Sequence, residues 1–337
     1  MRVPIPPTAR IDIHSHAGVS LKAYARMEYP YAATIEGLYY RQLKGKIDIN
    51  VVFPLSPDLY FDLNKLIKKQ NRVVAAKVPL SKTPYAVENE LLLRELYDYC
   101  PELTQRFLPF VCVDPRRAIA SQIEKICELC EKYRIFGIKI VPPLCQSPIT
   151  ALLSEGKPLL DLARKHDWPV MLHTTCYAAE HYSRADLAFK VILRNPDVRF
   201  CLAHCIGFHR DFLGQAARLK NVWIDTSALK IQVLLAAEEN PIVAAASRRF
   251  EADYSSHIKV MRALADAYPD KIIWGTDSPA YAYICRRRQA AGVISTFKLK
   301  ACYEDEIAAL DALPPDLQQK VCNFNSRAFL FGGTGEK

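Results

Sequence analysis

Three observations predict that this chain is an α/β protein with the architecture of a (β/α)8 TIM barrel. Short apolar segments rich in β-branched residues alternate with segments of helical periodicity along the whole chain. The apolar segments are nearly continuous, as in parallel strands that helices cover from outside. There are eight of them, which is the number that closes a parallel barrel.

Each predicted strand runs into a polar or proline-rich loop. The strands are Ile11 to His16, Ile47 to Phe53, Phe107 to Val113, Phe136 to Val141, Val170 to His173, Phe200 to His204, Val222 to Asp225 and Ile272 to Asp277. The competing fold is an open, doubly wound sheet. It is disfavoured because no G-x-G-x-x-G follows the first strand, and because side chains with reactive chemistry end strands throughout the chain.

Length and composition are those of one large domain. The 337 residues fit a single barrel over 1–337, and a 50% share of hydrophobic residues supplies a large core. Long loop insertions are expected at about 17–46, 54–84 and 226–256. Loops that follow barrel strands surround the mouth, so we expect these segments to recognise the substrate.

The charge pattern disfavours a nucleic-acid-binding surface. The net charge is +9, but 45 basic and 36 acidic residues are interspersed along the chain. The dense basic run Arg286, Arg287 and Arg288 is expected on a solvated helix face, with a grip for phosphate or carboxylate as the alternative. We therefore expect a small-molecule substrate, and neither nucleic acid nor a membrane as partner.

The first residues and the cysteines predict a cytoplasmic protein. The start, M-R-V-P-I-P-P-T-A-R, lacks the apolar region of a signal peptide, and no apolar run reaches the length of a membrane span. The eleven cysteines lie mostly within apolar patterns, which suits free thiols in a reducing compartment. Cys127 and Cys130 form a C-x-x-C pair that we place on one helix face.

The first predicted strand, I-D-I-H-S-H, carries the first half of a candidate metal site. Side chains alternate along a strand, so Asp12, His14 and His16 share one face. Two imidazoles one pleat repeat apart are close enough to bind one divalent ion. An H-x-H pair alone is weak evidence, and the remaining ligands must come from later strands.

Three later strands end in residues of the same chemistry. His173 ends the fifth strand, His204 the sixth and Asp277 the eighth. A single histidine at a strand end is usually a satisfied core residue. Here the strand ends should meet at one rim of the barrel, and burying so many polar groups costs several kcal/mol unless they pair or bind a metal. The pattern therefore predicts a metal site.

Lys139, in G-I-K-I-V, lies between Ile138 and Ile140, which face the other side of the strand. A lysine cannot comfortably face the apolar helix layer, so it should point into the barrel. There it either pairs with an acid such as Asp12 or Asp277, or contacts the substrate.

Two more residues are candidates for supporting roles. Asp225 ends the seventh strand in W-I-D-T-S. We expect both Asp225 and Asp12 behind the metal ligands, and we expect Asp225 to orient a histidine ring. A structural role in the following loop is the alternative for Asp225. Arg184, after the fifth strand, is a candidate for holding a substrate carboxylate, although loop arginines are mostly solvated.

Together these residues resemble the amidohydrolase superfamily, in the branch that includes aminocarboxymuconate-semialdehyde decarboxylase. The matching motifs follow the family's order over nearly the full length and are I-D-I-H-S-H, H-T-T, L-A-H-C-I-G, V-W-I-D-T-S-A, W-G-T-D-S-P and N-F-N-S-R-A-F-L-F-G. The resemblance is specific for the superfamily and much less so for the substrate. It implies a TIM barrel of the metal-dependent hydrolase type, and a homodimer.

The resemblance also implies roles for individual residues. It implies one divalent ion with four ligands, namely His14, His16, His173 and Asp277. His204 would contact the water bound to that ion, and Asp277 would double as the base that takes its proton. Zinc is the expected ion, and manganese, cobalt or iron suit the same ligands. Two-metal members carry a carboxylated lysine where Lys139 stands, but the usual single ion of this branch favours a pocket-lining role.

Three functions from different classes follow. The first is a metal-dependent hydrolase that acts through a metal-activated water on a small, anionic ester, lactone or amide. The second is a metal-dependent, nonoxidative decarboxylase or lyase of a small aromatic or unsaturated carboxylic acid. The third is a metal-binding protein without catalysis, which the full set of polar strand ends disfavours. We favour the hydrolase because a decarboxylase calls for an arginine near the metal that the sequence does not assign.

Overall fold

Eight parallel strands form a closed barrel in the computed structural model, which describes residues 5–25, 28–68, 73–280, 284–288, 294–298 and 301–332. The barrel strands are β1 Ile11–Val19, β2 Ile49–Pro54, β3 in two parts (Phe107–Pro109 and Val111–Cys112), β4 Ile138–Ile140, β5 Val170–Leu172, β6 Phe200–Leu202, β7 Val222–Asp225 and β8 Ile272–Ile273. The predicted TIM barrel is confirmed.

Hydrogen bonds between neighbouring strands run around the ring from β1 to β8. β3 is interrupted at Phe110, whose amide donates to the carbonyl of Val52 at 3.0 Å. β8 closes onto β1 through backbone hydrogen bonds. The amide of Ile13 donates to the carbonyl of Trp274 at 3.2 Å, and the amide of Asp277 donates to the carbonyl of His14 at 2.8 Å. This closing seam brings His14 next to Asp277.

Lys139 enters the barrel interior within a layer of cysteine and apolar side chains. Lys139 is in register with Cys112 on one side and Met171 on the other, and Met171 is in register with Cys201. Residues in register on parallel strands point to the same face of a sheet, so all of these side chains face inward. Lys139 is only 1% exposed. The interior layer therefore surrounds one basic side chain.

The other face of the sheet packs against the helices. Ile138 and Ile140 belong to this outer core, together with Ile126 of the helix after β3 and Leu160 of the helix after β4. Burying a side chain of this size contributes about 1.5–3 kcal/mol to folding. The near-continuous apolar strands of the sequence are thus explained by burial on both faces.

Helices cover the barrel. They are α1 Leu21–Ala25, α2 Ile35–Gly45, α3 Leu63–Lys68, α4 Ala86–Arg94, α5 Ile119–Cys130, α6 Pro142–Cys145, α7 Lys157–Lys165, α8 Ala185–Ile192, α9 Arg210–Arg218, α10 Leu229–Ala237, α11 His257–Ala267, α12 Tyr303–Asp311, α13 Pro315–Gln319 and α14 Asn325–Phe331. Short 3-10 or π turns lie at Asp58–Tyr60, Glu95–Tyr99, Pro101–Leu103, Ile149–Leu153, His204–Phe208, Ala246–Arg248 and Lys320–Phe324. The segments 17–46, 54–84 and 226–256 contain several of these elements. Within the described residues, no helix has both the length and the apolar character to cross a membrane.

Three short antiparallel pairings add to the barrel strands among the described residues. Ala32–Ala33 pairs with the end of β1, and Ile284–Arg288 pairs with both Ile294–Lys298 and Glu28–Tyr29. The basic run 286–288 lies in the strand Ile284–Arg288, so the expectation of a helix face is wrong. Pairing with the β-branched segment I-S-T-F-K fixes these residues as extended backbone.

Candidate metal centre

β1 places His14 and His16 at the mouth of the barrel. Its register with β2 shifts between Asp12 and Ser15, which marks a β-bulge. A bulge adds a residue to one strand and re-aims the side chains beside it. The two imidazole rings lie 5.3 Å apart between centroids and are tilted by 56°. Phe53 of β2 packs edge-on against both rings, at 5.1 Å and 5.4 Å.

Asp277 reaches the same point from the segment after β8. The approach to β1 requires glycine at position 275, since a Cβ there would lie 2.9 Å from the Cβ of His14. Thr276 donates its hydroxyl and its amide to Asp12, at 2.6 Å and 3.0 Å. Asp12 also accepts the amide of His14 at 3.0 Å. Asp12 therefore joins the two ligand-bearing segments through their backbones.

His14, His16 and Asp277 form what we call the ligand cluster. Their nearest atoms all lie within 4.8 Å of one another, and Asp277 Oδ1 is 3.4 Å from His14 Nε2 and 3.2 Å from His16 Nε2. His14 Nδ1 lies 2.9 Å from Asp225 Oδ2, and His16 Nδ1 lies 3.3 Å from the carbonyl of Pro54.

These contacts fix where the ring protons are. A carboxylate and a carbonyl can only accept, so both Nδ1 atoms carry a proton, and in the neutral form of each ring Nε2 carries a lone pair. Two lone pairs and a carboxylate oxygen then face each other in a buried position, which is costly without a cation between them. Imidazole nitrogen and carboxylate oxygen are the donors that zinc and similar ions bind. The cluster therefore fits a divalent metal ion.

Lys139 approaches the cluster from inside the barrel. Its Nζ lies 3.0 Å from His14 Nε2 and 4.8 Å from the centre of the Phe53 ring. Burial lowers the pKa of Lys139, while the charges of Asp225 and Asp277 act against this shift. The contact to His14, and not one to an acid, is the nearest polar contact of this amine.

The segment after β6 carries His204 in a left-handed turn. The φ angles from His204 to Phe208 lie between 49° and 61°, although four of these five residues are not glycine. Such backbone costs about 1–2 kcal/mol for each non-glycine residue and persists only where surrounding contacts hold it. Asp225 supplies one of those contacts, since its Oδ1 accepts the amide of His204 at 3.3 Å.

Ser227 and His173 hold the His204 ring from two sides. His204 Nδ1 lies 3.2 Å from the carbonyl of Ser227 and 3.0 Å from its hydroxyl, and Nε2 lies 3.0 Å from His173 Nδ1. Ser227 is in turn fixed by Asp225, whose Oδ1 accepts its amide at 2.8 Å. A single carboxylate thus orients His14 of the ligand cluster and the backbone that positions His204.

Comparison with known families gives this site its context. The family model described as amidohydrolase matches residues 73–332. The chain belongs to the amidohydrolase family. The match confirms the resemblance drawn from the motifs, although His14 and His16 precede the matched span. No curated protein matches this amidohydrolase.

Several solved structures share the fold of this amidohydrolase at low sequence identity. A probable 2-pyrone-4,6-dicarboxylic acid hydrolase from Acinetobacter baumannii, with citric acid bound, is 15% identical (TM-score 0.51; 96% of this chain and 99% of that chain covered). An amidohydrolase from Burkholderia multivorans with bound zinc is 12% identical (TM-score 0.58; 96% and 99%). The 5-carboxyvanillate decarboxylase of Sphingomonas paucimobilis is 10% identical (TM-score 0.56; 96% and 99%). At these identities the likeness establishes the barrel fold alone.

Burial and neighbouring charges set the protonation state of this amidohydrolase site. Burial lowers the pKa of His14 to about 4 and that of His173 well below its usual value. Burial alone would raise the pKa of Asp225 and of Asp277, but His14 and His204 together with further contacts lower both. Neutral imidazoles and ionised carboxylates are the forms that bind a metal ion.

Two of the predicted residues, His173 and Arg184, are held by partners outside the ligand cluster. His173 contacts His204 and is not part of the group that His14, His16 and Asp277 form among the described residues. The guanidinium of Arg184 is held by Asp186 at 2.9 Å and 2.7 Å. Among the side chains that the structure describes, no arginine hydrogen-bonds or ion-pairs with the ligand cluster.

Sequence reasoning missed Ser227, Thr276 and Phe53. The two hydroxyl residues stand beside strand-end acids, in D-T-S and T-D-S, and that adjacency is the signal that could have found them. Phe53 ends β2 and reads as an ordinary core residue. Nothing in the sequence marks it as the ring against which both histidines pack.

Proposed function

We propose that this amidohydrolase is a metal-dependent hydrolase of a small, anionic ester, lactone or amide. The observation that carries the proposal is the ligand cluster, in which two lone-pair nitrogens and an ionised carboxylate face one buried point. A cluster of this kind is poorly explained as a structural device, since its members repel one another without a cation.

The ligand cluster would hold one divalent ion, with His173 as a further ligand beside it. When bound, such an ion polarises a carbonyl and lowers the pKa of water toward neutrality. Zinc is the ion we propose, because the donor set is nitrogen-rich, and manganese, cobalt or iron would suit similar ligands. A single ion is favoured because the metal-capable group found among the described residues is one group of three. A carboxylated Lys139 would be needed for a second ion.

His204 and His173 are suited to moving a proton. Ser227's carbonyl can only accept, so His204 carries a proton on Nδ1 and presents a lone pair on Nε2. That lone pair lies 3.0 Å from His173 Nδ1. We propose that a water replaces His173 Nδ1 at His204 Nε2 when substrate binds, that His204 takes the proton of this attacking water there, and that Asp277, 4.0 Å from His204 Nδ1, stabilises the resulting charge.

The position of Lys139 is our reason for proposing an anionic substrate. It is the basic side chain that contacts the ligand cluster, and its buried position strengthens any electrostatic interaction it makes. Arg184 does not supply this charge in the structure, because Asp186 already holds its guanidinium. We propose Lys139 as the residue that lines the substrate pocket.

The alternative is a nonoxidative decarboxylase of a small aromatic or unsaturated acid. One experiment separates the two reactions. The zinc-loaded protein is incubated with a panel of lactones and esters and with a panel of aromatic carboxylic acids, and acid release and bicarbonate release are measured in parallel. The hydrolase predicts acid release that disappears after metal removal and in Asp277→Asn. Bicarbonate release without acid release would overturn the proposal in favour of the alternative.

A matched control guards against general effects of removing a carboxylate. Asp270→Asn changes an exposed aspartate that pairs with Lys320 and lies just before β8, at the end of the barrel opposite the ligand cluster. It should keep the activity of the wild type. Loss of activity in both variants would mean that the Asp277 result does not report on the site.

A further inference from the structure

A second cavity lies on the outer side of the barrel wall. Its volume is about 510 Å³, within the range of roughly 300–1,000 Å³ that is typical of small-molecule pockets. It is bounded by the ends of β1 and β2, by the strand Ala32–Ala33 and by α4. Most of its lining is apolar, including Val19, Leu21, Leu55, Leu59, Leu91 and Leu92.

This cavity is distinct from the ligand cluster but shares a wall with it. Ala17 lines the cavity and packs with Val52 and Leu92 in the outer core, whereas its neighbour His16 faces the barrel mouth. Pro54 also lines the cavity, and its carbonyl accepts the Nδ1 proton of His16. A ligand in the cavity would therefore contact the backbone that carries one candidate metal ligand and the carbonyl that orients it.

The charged groups around the cavity are all acidic. Asp58, Glu88 and Glu95 are among its lining residues, and no lysine, arginine or histidine of the described chain lines it. None of the three carboxylates forms an ion pair with a described residue. This is unusual for a chain of net charge +9, in which basic residues outnumber acids.

Hydrogen bonds leave one of these carboxylates incomplete. Asp58 accepts the hydroxyl of Ser20 at 3.0 Å, and Glu95 accepts the amide of Ile35 at 2.8 Å. Glu88 accepts the amide of Leu59 through Oε1 at 3.2 Å, and its solvent-shielded Oε2 has no hydrogen-bond partner among the described residues.

A carboxylate without an ion-pair partner beside an apolar cavity is stabilised when a cation binds in that cavity, because protein surroundings screen the attraction less than water does. Burial also raises the pKa of Glu88 to about 7 and that of Glu95 above its usual value. A positive charge beside these groups would favour their ionised forms.

We propose that this cavity binds a small organic ammonium ion, with its apolar body among the leucines and its charged end at Glu88 and Asp58. The apolar lining excludes a strongly hydrated inorganic cation as the preferred occupant, because such an ion would lose its water without replacement ligands. The carboxylates disfavour anions, and they give an ammonium ion an advantage over a neutral molecule of the same shape. The site does not depend on the hydrolase proposal.

Three probes of nearly equal shape test the proposal on the full-length wild type. They are 2-phenylethylammonium, 2-phenylethanol and 3-phenylpropanoate, and binding is measured by titration calorimetry. We expect saturable binding of the ammonium ion, binding of the alcohol weaker by about tenfold or more, and no binding of the carboxylate. Absence of saturable ammonium binding, or equal binding of ammonium and alcohol, would overturn the proposal.

Variants locate the site. Glu88→Gln should weaken ammonium binding about tenfold, whereas Glu90→Gln, an exposed change on the same helix, should bind like the wild type. Asp277→Asn should also bind normally, because the ligand cluster is not part of this cavity. Equal binding by Glu88→Gln and Glu90→Gln, or loss of binding in Asp277→Asn, would contradict the assignment. The three-probe comparison on the wild type stands even if Glu88→Gln fails to fold.

Discussion

At the residue scale, Asp225 connects two histidines that come from different strands. Its Oδ2 lies 2.9 Å from His14 Nδ1, and its Oδ1 accepts the amides of Ser227 and His204. Partners behind metal ligands of this kind fix the tautomer and the ring orientation. The position of His204 relative to the ligand cluster thus depends on a carboxylate that is itself fully buried.

Ser227 should act as a positioning residue for His204. Ser227→Ala removes the hydroxyl that lies 3.0 Å from His204 Nδ1 but keeps the carbonyl contact, so one of two contacts that orient the ring is lost. A hydrogen bond of this type is worth about 0.5–1.5 kcal/mol, which corresponds to a fall in kcat of up to about tenfold. KM and bound zinc should stay close to those of the wild type.

Ser154→Ala, which changes an exposed serine, provides the matched control, and steady-state kinetics with metal analysis is the measurement. A drop in zinc content that parallels the drop in kcat would show that Ser227 serves the metal site as a whole. That result would contradict a specific role in orienting His204.

At the scale of elements, the seam between β1 and β8 determines whether the ligand cluster can form. A Cβ at position 275 would lie 2.9 Å from His14 Cβ and 3.1 Å from Ile13 Cγ2. Gly275→Ala should therefore push the two strands apart and lower the free energy of unfolding by about 1–3 kcal/mol. We also expect weaker zinc binding, because His14 and Asp277 lie on opposite sides of this seam.

Gly214→Ala is the control for the seam. Gly214 lies in α9, and the nearest atom to an added Cβ is Arg218 Nη1 at 3.8 Å, so the substitution fits. Alanine in a helix should stabilise the protein by about 0.5–1 kcal/mol. Chemical unfolding of both variants checks the pair, and equal stability of the two would contradict the importance of close approach at position 275.

Glu306 couples α12 to the start of α10. Its carboxylate is fully buried and accepts the amides of Leu229 and Lys230 at 3.2 Å and 3.1 Å. Burial raises its pKa from 4.5 to about 8. The folded chain thus keeps this proton at pH values where the unfolded chain has released it, and between about pH 4.5 and 8 the free energy of unfolding should fall as pH rises.

Glu306→Gln removes this titration. Urea unfolding of the metal-free wild type and of the variant is measured across that pH range. As pH rises, the wild type should lose stability relative to the variant. The exposed Glu304→Gln should follow the wild type at each pH. Parallel curves for wild type and Glu306→Gln would show that burial does not hold this proton.

At the scale of the whole molecule, the sequence predicts the barrel and the strand ends because both depend on local pattern. His14, His204 and Asp277 each follow an apolar run, and parallel strands bring such positions to one rim. Lys139 could be placed inside the barrel because its isoleucine neighbours face the helices.

The remaining features depend on contacts between distant segments. The bulge in β1 and the left-handed turn at His204–Phe208 have no signal in residue type, since non-glycine residues adopt these conformations only under tertiary constraint. Arg184 could not be assigned from sequence because its pairing with Asp186 competes with any role at the mouth. For the basic run 286–288 the sequence predicts a helix, and this prediction is wrong. The run forms a strand because it pairs with Ile294–Lys298, and its own composition does not indicate that strand.

Zinc binding to the metal-free full-length protein, measured by competition with a chromophoric chelator, determines whether the ligand cluster holds a metal ion. We expect one zinc ion per chain, with affinity lowered by more than about 100-fold in His16→Asn and in Asp277→Asn and unchanged in Asp270→Asn. A wild type that takes up no zinc at saturating concentration, or His16→Asn and Asp277→Asn variants that bind it as tightly as the wild type, would contradict this expectation.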